Sequence, residues 1–270
     1  MSYKKTIHDL YSQLNKARKQ KAISRVYKFP KSKHKDESEH KYLSRIVNNS
    51  HKYKFVNVSG KIKNQIVAFG TPGPIITKFG KFQMVPAKVI DGKWGLQYIL
   101  IYPNLTHLLR KRKILLRISS GCYSGMVLGD TTCDCRRQYE LSLKKIIQMK
   151  GGVLILIPNH DGRGWPKFKM AIQQLMNELK IDTISAAKLF FRDTKNIDIR
   201  TFDESAIILK ALGFNSKNHF RLLSESKNKI SSLSKHKLNI LGTESLKIHG
   251  LTKEARDNSR AKKAFYISQK

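Results

Sequence analysis

Apolar residues recur at two different spacings along the chain, and each spacing predicts one kind of secondary structure. Strand-type alternation or a short apolar run occupies six segments: 75–85, 94–102, 114–119, 153–157, 220–223 and 238–241. The turn residues Asp91-Gly92 separate the first two segments, which predicts an antiparallel pair. The runs at 114–119 and 153–157 are typical of buried strands.

A spacing of three and four residues between apolar positions predicts helices at 137–150, from Pro166 to 180, and at 202–212. Gly151-Gly152 and Gly213 are typical residues after the end of a helix and close the first and third of these segments. In the second helix, the side chains predicted to face inward are Phe168, Ile172, Leu175, Met176 and Leu179.

The order of these elements predicts an α/β (α+β) domain over residues 71–270, in which an antiparallel β portion precedes alternating strands and helices. Residues 1–70 are polar and basic, and we expect a partly disordered N-terminal extension. Within it, residues 3–25 have one apolar face and predict a short helix, whereas residues 30–41 are typical of a solvated linker.

The charge of the chain is strongly unbalanced, with 53 Lys and Arg against 19 Asp and Glu and a formal net charge of +34. The excess occurs both before and after residue 70, and it would attract nucleic acid, an acidic membrane surface or a nucleoside triphosphate. The alternative is that a lysine-rich genome has made the protein surfaces basic by drift. The sequence has no apolar run of about 18 residues, which predicts no membrane span. It also lacks the apolar core of a secretory signal.

The three cysteines of the chain lie close together at Cys122, Cys133 and Cys135. Three thiolates that converge on one point suit Zn²⁺ and leave a fourth coordination position open, as in catalytic zinc sites. Three ordinary buried cysteines in a reducing compartment are the alternative, and the spacing alone does not decide between them. Either case favours a cytoplasmic protein.

Charged residues also follow predicted strands or precede predicted helices downstream of the cysteines. Asp161-Gly-Arg163-Gly lies between a strand and a helix, where its glycines and its guanidinium suit a phosphate, although a plain polar turn has the same composition. Asp198-Ile-Arg200 pairs a proton acceptor with a cation, or is a simple charge pair before a helix. Ser224 and Lys229 follow a strand and could close a phosphate site.

Taken in order, these motifs resemble the GTP cyclohydrolase II family. The resemblance rests on five runs: Arg117-Ile-Ser-Ser-Gly-Cys122, Cys133-Asp-Cys135-Arg-Arg-Gln138, Asp161-Gly-Arg163-Gly, Asp198-Ile-Arg200-Thr-Phe and Leu222-Leu-Ser224. It extends from about Gly73 to about Phe265 and leaves residues 1–70 outside.

The resemblance implies hydrolysis of GTP, or a close purine nucleotide, at C8 of the ring on the riboflavin path, with release of formate and pyrophosphate. It implies one Zn²⁺ per chain on the three cysteines, Mg²⁺ with the triphosphate, and a homodimer. It further implies that Arg200 is the nucleophile toward the α-phosphate and Asp198 its proton acceptor. Base, ribose and phosphates would be held by Arg117, Gln138, Asp161, Arg163, Thr183, Ser224 and Lys229.

The chain departs from the family pattern at several positions of the expected pocket. Ser119 and Gly121 stand where the family has His and Glu, and Asp161 stands for a Glu. By spacing from Asp161, the family's active-site tyrosine falls on Gln174. These changes suggest an altered substrate or product, such as a reaction that stops at a formamidopyrimidine. The alternative is a catalytically silent relative that binds nucleotide or, secondarily, nucleic acid.

Overall fold

The computed structural model describes the chain over residues 52–56, 65–193 and 197–268, together with Ser38. The predicted helix at 3–25 and almost all of the predicted linker at 30–41 lie outside the described residues.

The described residues form one mixed sheet of nine strands. The strands are β1 (Lys52–Val56), β2 (Gln65–Phe69), β3 (Gly73–Thr77), β4 (Gly80–Val89), β5 (Leu96–Tyr102), β6 (Lys113–Ser120), β7 (Gly152–Ile157), β8 (His219–Leu222) and β9 (Asn239–Thr243). Their order across the sheet is β1-β2-β4-β5-β7-β6-β8-β9, and β3 pairs with β4 outside this path.

Seven α-helices accompany the sheet in the same part of the chain. They are α1 (Leu105–Arg110), α2 (Cys135–Gln148), α3 (Lys169–Leu179), α4 (Thr183–Phe191), α5 (Asp203–Leu212), α6 (Lys227–Lys235) and α7 (Lys253–Ser268). A π-helical turn covers Tyr123–Val127, and 3₁₀ turns cover Pro158–Gly164 and Pro166–Phe168. Among the described residues, no helix combines the length and the apolar character that crossing a membrane requires.

The sheet has an antiparallel part and a parallel part, which confirms the predicted fold class. Strands β1 to β5 pair antiparallel, and β5 pairs antiparallel with β7. From β7 onward, β6, β8 and β9 run parallel to their neighbours. Strands β1 and β2 lie before residue 71, so the sheet includes segments that precede the predicted domain boundary. The carboxyl ends of β6 and β7 lie side by side, where α/β folds commonly bind ligands.

Residues 75–85, predicted as one strand, form two strands that turn back at Lys78-Phe79, and this prediction was therefore wrong. Thr77 makes the turn: its Oγ1 donates to the carbonyl of Gly80 (2.9 Å) and accepts from the amide of Phe79 (3.2 Å). The only turn residue in this stretch of sequence is Gly80, after Phe79, and one glycine is a weak signal for a hairpin.

The predicted helices are present as α2, α3 and α5, and the other four helices were not predicted. In α3, Ile172 is buried, and Leu175 and Met176 pack against the same apolar cluster. The inward orientation predicted for Leu179 was wrong, since it is 50% exposed, whereas Phe168, 38% exposed, packs its ring against Phe190 and Phe191. Leu179 is the last residue of the helix, where the apolar face no longer meets the core.

In the part of the chain that the structure describes, three apolar clusters hold the elements together. The largest lies between one face of the sheet and α5, and a second lies between the other face and α2. The third joins α3, α4 and α7 through Ile172, Ile184 and Phe265. The third cluster places α7 beside the carboxyl ends of the parallel strands.

Candidate functional site

A pocket of about 530 Å³ opens at the carboxyl ends of β6 and β7, a size that suits a nucleotide-sized ligand. All of the site residues proposed from the sequence line it: Arg117, Cys122, Cys133, Cys135, Gln138, Asp161, Arg163, Thr183, Asp198, Arg200, Ser224 and Lys229. These residues are far apart in the chain. They meet in one pocket because β6, β7 and β8 end at the same edge of the sheet.

The three cysteine sulfurs lie within 4.8 Å of one another, on one side of this pocket. Cys122 follows β6, while Cys133 and Cys135 lie at the start of α2. The Sγ atoms of Cys122 and Cys133 are 3.8 Å apart, and all three residues are partly buried. Three soft ligand atoms at this separation, open toward a pocket, fit a zinc ion with an exchangeable fourth position.

The backbone next to the cysteines leaves room only for glycine. A Cβ atom on Gly125 would lie 2.3 Å from the Sγ of Cys133 and 3.4 Å from the Sγ of Cys122. Contact with Cys133 and Cys135 lowers the pKa of Cys122, whereas contact with Cys122 raises the pKa of Cys133. The cluster therefore favours one thiolate at a time, and a divalent cation is what would allow all three.

Asp198 and Arg200 form a largely buried ion pair in the lining of the same pocket. Oδ1 of Asp198 accepts from Nε of Arg200 (2.8 Å), and Oδ2 accepts from Nη2. Burial acts to raise the pKa of Asp198, but the guanidinium of Arg200 outweighs it and holds the pKa at about 2. Nη1 of Arg200 also donates to Oγ of Ser120 (3.1 Å), which ties the pair to the end of β6.

Tyr266 of α7 is a pocket residue that the sequence analysis missed. Its hydroxyl group donates to Oδ2 of Asp198 (2.6 Å) and accepts from Nη2 of Arg200 (2.9 Å). Burial raises the pKa of the Tyr266 hydroxyl, so the phenol is neutral near pH 7. Helical spacing places Lys262 and Tyr266 on one face, but the polar character of that face hides the pattern.

Arg117 and Gln138 are connected to each other on the floor of the pocket. Nη2 of Arg117 donates to Oε1 of Gln138, and its Nη1 donates to the carbonyl of Leu223 (2.6 Å). Nε2 of Gln138 donates to Oδ2 of Asp134 (2.7 Å), the residue between the two later cysteines. Burial lowers the pKa of Arg117 to about 10, which still leaves it a cation at neutral pH.

Asp161 and Arg163 each have a fixed partner. Oδ1 of Asp161 accepts from Nζ of Lys169 (2.7 Å), and the same ammonium lies 3.3 Å from the Sγ of Cys122. Nη2 of Arg163 donates to Oγ1 of Thr183 (2.6 Å) at the start of α4. Lys169 is a second pocket residue that sequence reasoning missed, because a single lysine in a lysine-rich chain gives no signal.

Lys229 enters the pocket from α6 and is buried. Its Nζ donates to the carbonyl of Ile118 (2.9 Å) and lies 5.2 Å from the centre of the Phe202 ring. Burial lowers its pKa well below the ordinary value, and the nearby cations Arg117 and Arg200 lower it further. Ser224, at the mouth of the pocket, accepts from the amide of Ser226 (3.3 Å).

Two departures from the family pattern have a structural explanation. A Cβ atom on Gly121 would lie 2.4 Å from the carbonyl oxygen of Pro158, so no other side chain fits without a backbone shift. Gln174, expected across the pocket, is exposed, donates to Glu178 (2.8 Å) and is not among the lining residues. The placement of Gln174 in the pocket was therefore wrong, and its neighbour Gln173 lines the pocket instead.

The fold and this site define a class of protein: a mixed α/β domain whose parallel strand ends hold three convergent thiols beside a cation-rich pocket. Comparison with known proteins narrows the class, because a family model described as GTP cyclohydrolase II matches residues 73–245. The chain belongs to the GTP cyclohydrolase II family.

Individual relatives show how much of each protein is shared. The chain is 32% identical over 159 residues to GTP cyclohydrolase-2 of Campylobacter fetus, which covers 58% of this chain and 74% of the relative. It is 28% identical over 169 residues to riboflavin biosynthesis protein RibBA of Chlamydia muridarum, covering 62% of this chain but 37% of the relative. The chain therefore spans well under half the length of the RibBA protein that it matches.

Proposed function

We propose that the protein is a zinc-dependent hydrolase of the GTP cyclohydrolase II type, which opens the imidazole ring of GTP, or of a close purine nucleotide, at C8. Formate and pyrophosphate are the expected products. The observation that carries the proposal is that three convergent thiols and the Asp198–Arg200 pair line the same pocket. The similarity to relatives named GTP cyclohydrolase-2 and RibBA supports it.

One Zn²⁺ per chain would be held by Cys122, Cys133 and Cys135. When bound, zinc supplies a Lewis acid that lowers the pKa of a water molecule, which suits addition to the electron-poor C8 carbon. Two features beside the sulfurs suit a site of metal-bound thiolates. Gly125 leaves space next to the sulfurs, and Lys169 places an ammonium 3.3 Å from the Sγ of Cys122. Mg²⁺ would enter with the triphosphate, since it favours phosphate oxygens.

Arg200 and Arg163 are the guanidinium groups that we assign to the phosphates. Burial acts to lower the pKa of Arg200, but Asp198 outweighs it and raises the pKa above its ordinary range. Arg200 is therefore a permanent cation in the free protein, which suits electrostatic binding of a phosphate. Nucleophilic attack by Arg200 on the α-phosphate would require Asp198 to accept its proton, and the two groups are already in hydrogen-bond contact.

Gln138, Asp161, Thr183 and Ser224 offer the neutral and acceptor groups that we assign to the base and the ribose. They line the same pocket as Arg117, and Gln138 is hydrogen-bonded to Arg117 directly. The carboxamide of Gln138 is held in one orientation, since Arg117 and Asp134 bond its two ends. A guanine edge would meet a preformed pattern of donors and acceptors.

Product analysis with purified protein tests the proposal. Incubation with GTP and Mg²⁺ should release pyrophosphate and formate with loss of purine absorbance, and removal of zinc should stop all three. Mass spectrometry distinguishes full deformylation from a reaction that stops at a formamidopyrimidine by the mass of one CO group. If no product forms from GTP or from other purine nucleotides, the proposal is wrong.

A catalytically silent nucleotide- or nucleic-acid-binding protein is the second candidate. The observations that favour it are the net charge of +34 and the crowding at Gly121, which excludes the carboxylate that the family pattern has there. RNA retention on a filter should then fall steeply as salt rises, since electrostatic binding releases counterions. We also propose that the protein is a homodimer and that it is cytoplasmic, as expected from the sequence. Sizing chromatography tests the homodimer.

A further inference from the structure

The hydroxyl group of Tyr266 closes a ring of hydrogen bonds with the Asp198–Arg200 pair. It donates to Oδ2 of Asp198 at 2.6 Å and accepts from Nη2 of Arg200 at 2.9 Å, while Arg200 bonds Asp198 directly. A phenol in this position takes up one lone pair of the carboxylate and one N–H of the guanidinium. The pair therefore cannot rotate without breaking a bond to α7.

Every nitrogen of the Arg200 guanidinium has a partner, and Tyr266 adds a second partner for Nη2. Nε and Nη2 donate to Asp198, Nη1 donates to Ser120, and Nη2 also donates to Tyr266. A planar guanidinium fixed along its whole edge loses little freedom when a phosphate binds. Preorganisation of this kind is what a site needs in order to act on a phosphate held at one position.

The helix that carries Tyr266 is anchored to the rest of the site. Oδ1 of Asn258 accepts from the amide of Thr183 (2.9 Å), and its Nδ2 donates to the carbonyl of Thr132 (3.0 Å). Oγ of Ser259 donates to Oδ2 of Asp134 (3.2 Å), between the two later cysteines. Because Asn258 and Ser259 lie two turns before Tyr266, these bonds fix where the phenol can be.

No other element provides a phenol to the described pocket lining. Gln174, where the family's tyrosine would fall by spacing, is exposed and bonded to Glu178. The family model ends at residue 245, and α7 begins at Lys253, so Tyr266 lies outside the matched region. The phenol therefore reaches the site from a part of the chain that the comparison does not include.

We propose that Tyr266 is a positioning residue for the reaction, which holds Asp198 and Arg200 in the arrangement that acts on the phosphates of the nucleotide. This inference rests on the proposed function. It assigns to α7 a part in the site that neither the family match nor the motif spacing provides.

The test compares Tyr266→Phe with the matched control Tyr102→Phe. Tyr102 packs against Phe82 in the cluster under α2 and is not a pocket residue. For pyrophosphate and formate release, we expect kcat of Y266F to fall about 10- to 100-fold, as is typical when a group that orients a catalytic side chain is lost. The KM of Y266F should stay within about 2-fold, and Y102F should equal the wild type.

A spectroscopic measurement reads the contact without any assay of activity. In protein labelled at the tyrosine ζ-carbon, the signal missing from Y266F identifies Tyr266, and its titration gives the phenol pKa. Asp198, Arg200 and Arg163 are the charged groups that face this phenol. Asp198→Asn removes the negative charge that raises its pKa, so the pKa of Tyr266 should fall in D198N.

The outcomes are separable. An active wild-type protein with Y266F as active as Y102F overturns the inference alone, and so does a Tyr266 pKa that is the same in D198N as in the wild type. A wild-type protein that forms no product overturns the proposed function and, with it, the inference. Should Y266F fail to fold, wild type and D198N are compared over all tyrosine signals, and the inference is overturned if no tyrosine pKa differs between the two proteins.

Discussion

Gly125 lies so close to Cys133 that a single added methyl group would come within 2.3 Å of the thiol sulfur. The two residues are on different segments, the π-helical turn after Cys122 and the approach to α2. Their contact means that the backbone between the cysteines passes directly beside the sulfurs and leaves no space for a side chain there. The space in which a metal would bind is thus set by a residue that offers no ligand.

Substitution of this glycine should disturb metal binding before it disturbs the fold. Gly125→Ala should weaken zinc affinity about 10-fold or more, because the methyl group displaces a sulfur and overpacking of this kind costs about 1–3 kcal/mol. Zinc stoichiometry after competition with a chelator measures the effect. Gly242→Ala in β9, where an added Cβ meets nothing within 4 Å, is the matched control and should retain zinc.

Gly121 gives a second prediction, on stability. Gly121→Ala should lower the free energy of unfolding by about 1–3 kcal/mol, because its Cβ would lie 2.4 Å from the carbonyl oxygen of Pro158. Gly121→Glu should be at least as harmful and should not increase activity toward GTP. Denaturant unfolding of both variants beside G242A measures this, and a G121E protein of wild-type stability would contradict it.

Gln174 should be dispensable. Gln174→Ala should leave kcat and KM for GTP within about 2-fold of the wild type, since the side chain is exposed and bonds Glu178 rather than the pocket. The lining residue Gln173 provides the contrast, and Gln173→Ala should change KM. A loss of activity in Q174A with none in Q173A would show that α3 is rotated relative to this structure.

The Asp198–Arg200 pair predicts how stability depends on pH. Because the pKa of Asp198 is held at about 2 in the folded protein, below the ordinary value of 3.8, the charged carboxylate favours folding. This contribution, about 2 kcal/mol, is complete above about pH 4 and is lost as pH falls toward 2. Denaturant unfolding at several pH values should show that loss in the wild type and not in Asp198→Asn. If the free energy of unfolding changes equally with pH in the two proteins, the prediction is wrong.

Much of the fold and the site follows from local sequence patterns. The apolar runs of β6 and β7 predict two buried strands, and the residues after them, Cys122 and Asp161, therefore meet at one edge of the sheet. The spacing of Cys133 and Cys135 predicts thiols on one side, which the structure shows within 4.8 Å of Cys122. These features depend on neighbours in the chain, and local patterns are sufficient for them.

The features that sequence reasoning missed depend on distant contacts or on irregular backbone. Counting from Asp161 placed Gln174 in the pocket, but Gly162 and Arg163 have positive φ angles and a 3₁₀ turn follows at Pro166–Phe168. Helix α7 faces a polar pocket through Lys262 and meets the third apolar cluster mainly through Ala261 and Phe265, so its apolar stripe is short and hard to recognise in the sequence. Helix α1 has only six residues and depends on its capping residue Asn104.

The segment that joins β9 to α7 has a consequence for how the site can be dismantled. Residues 244–252 contain neither helix nor strand, and Lys247 within them is exposed. A protease cut after Lys247 would leave all nine described strands in one fragment and put Tyr266 in another. The pocket would then persist only as a complex of two peptides, joined by the bonds of Asn258 and Ser259 and by the apolar contacts of α7.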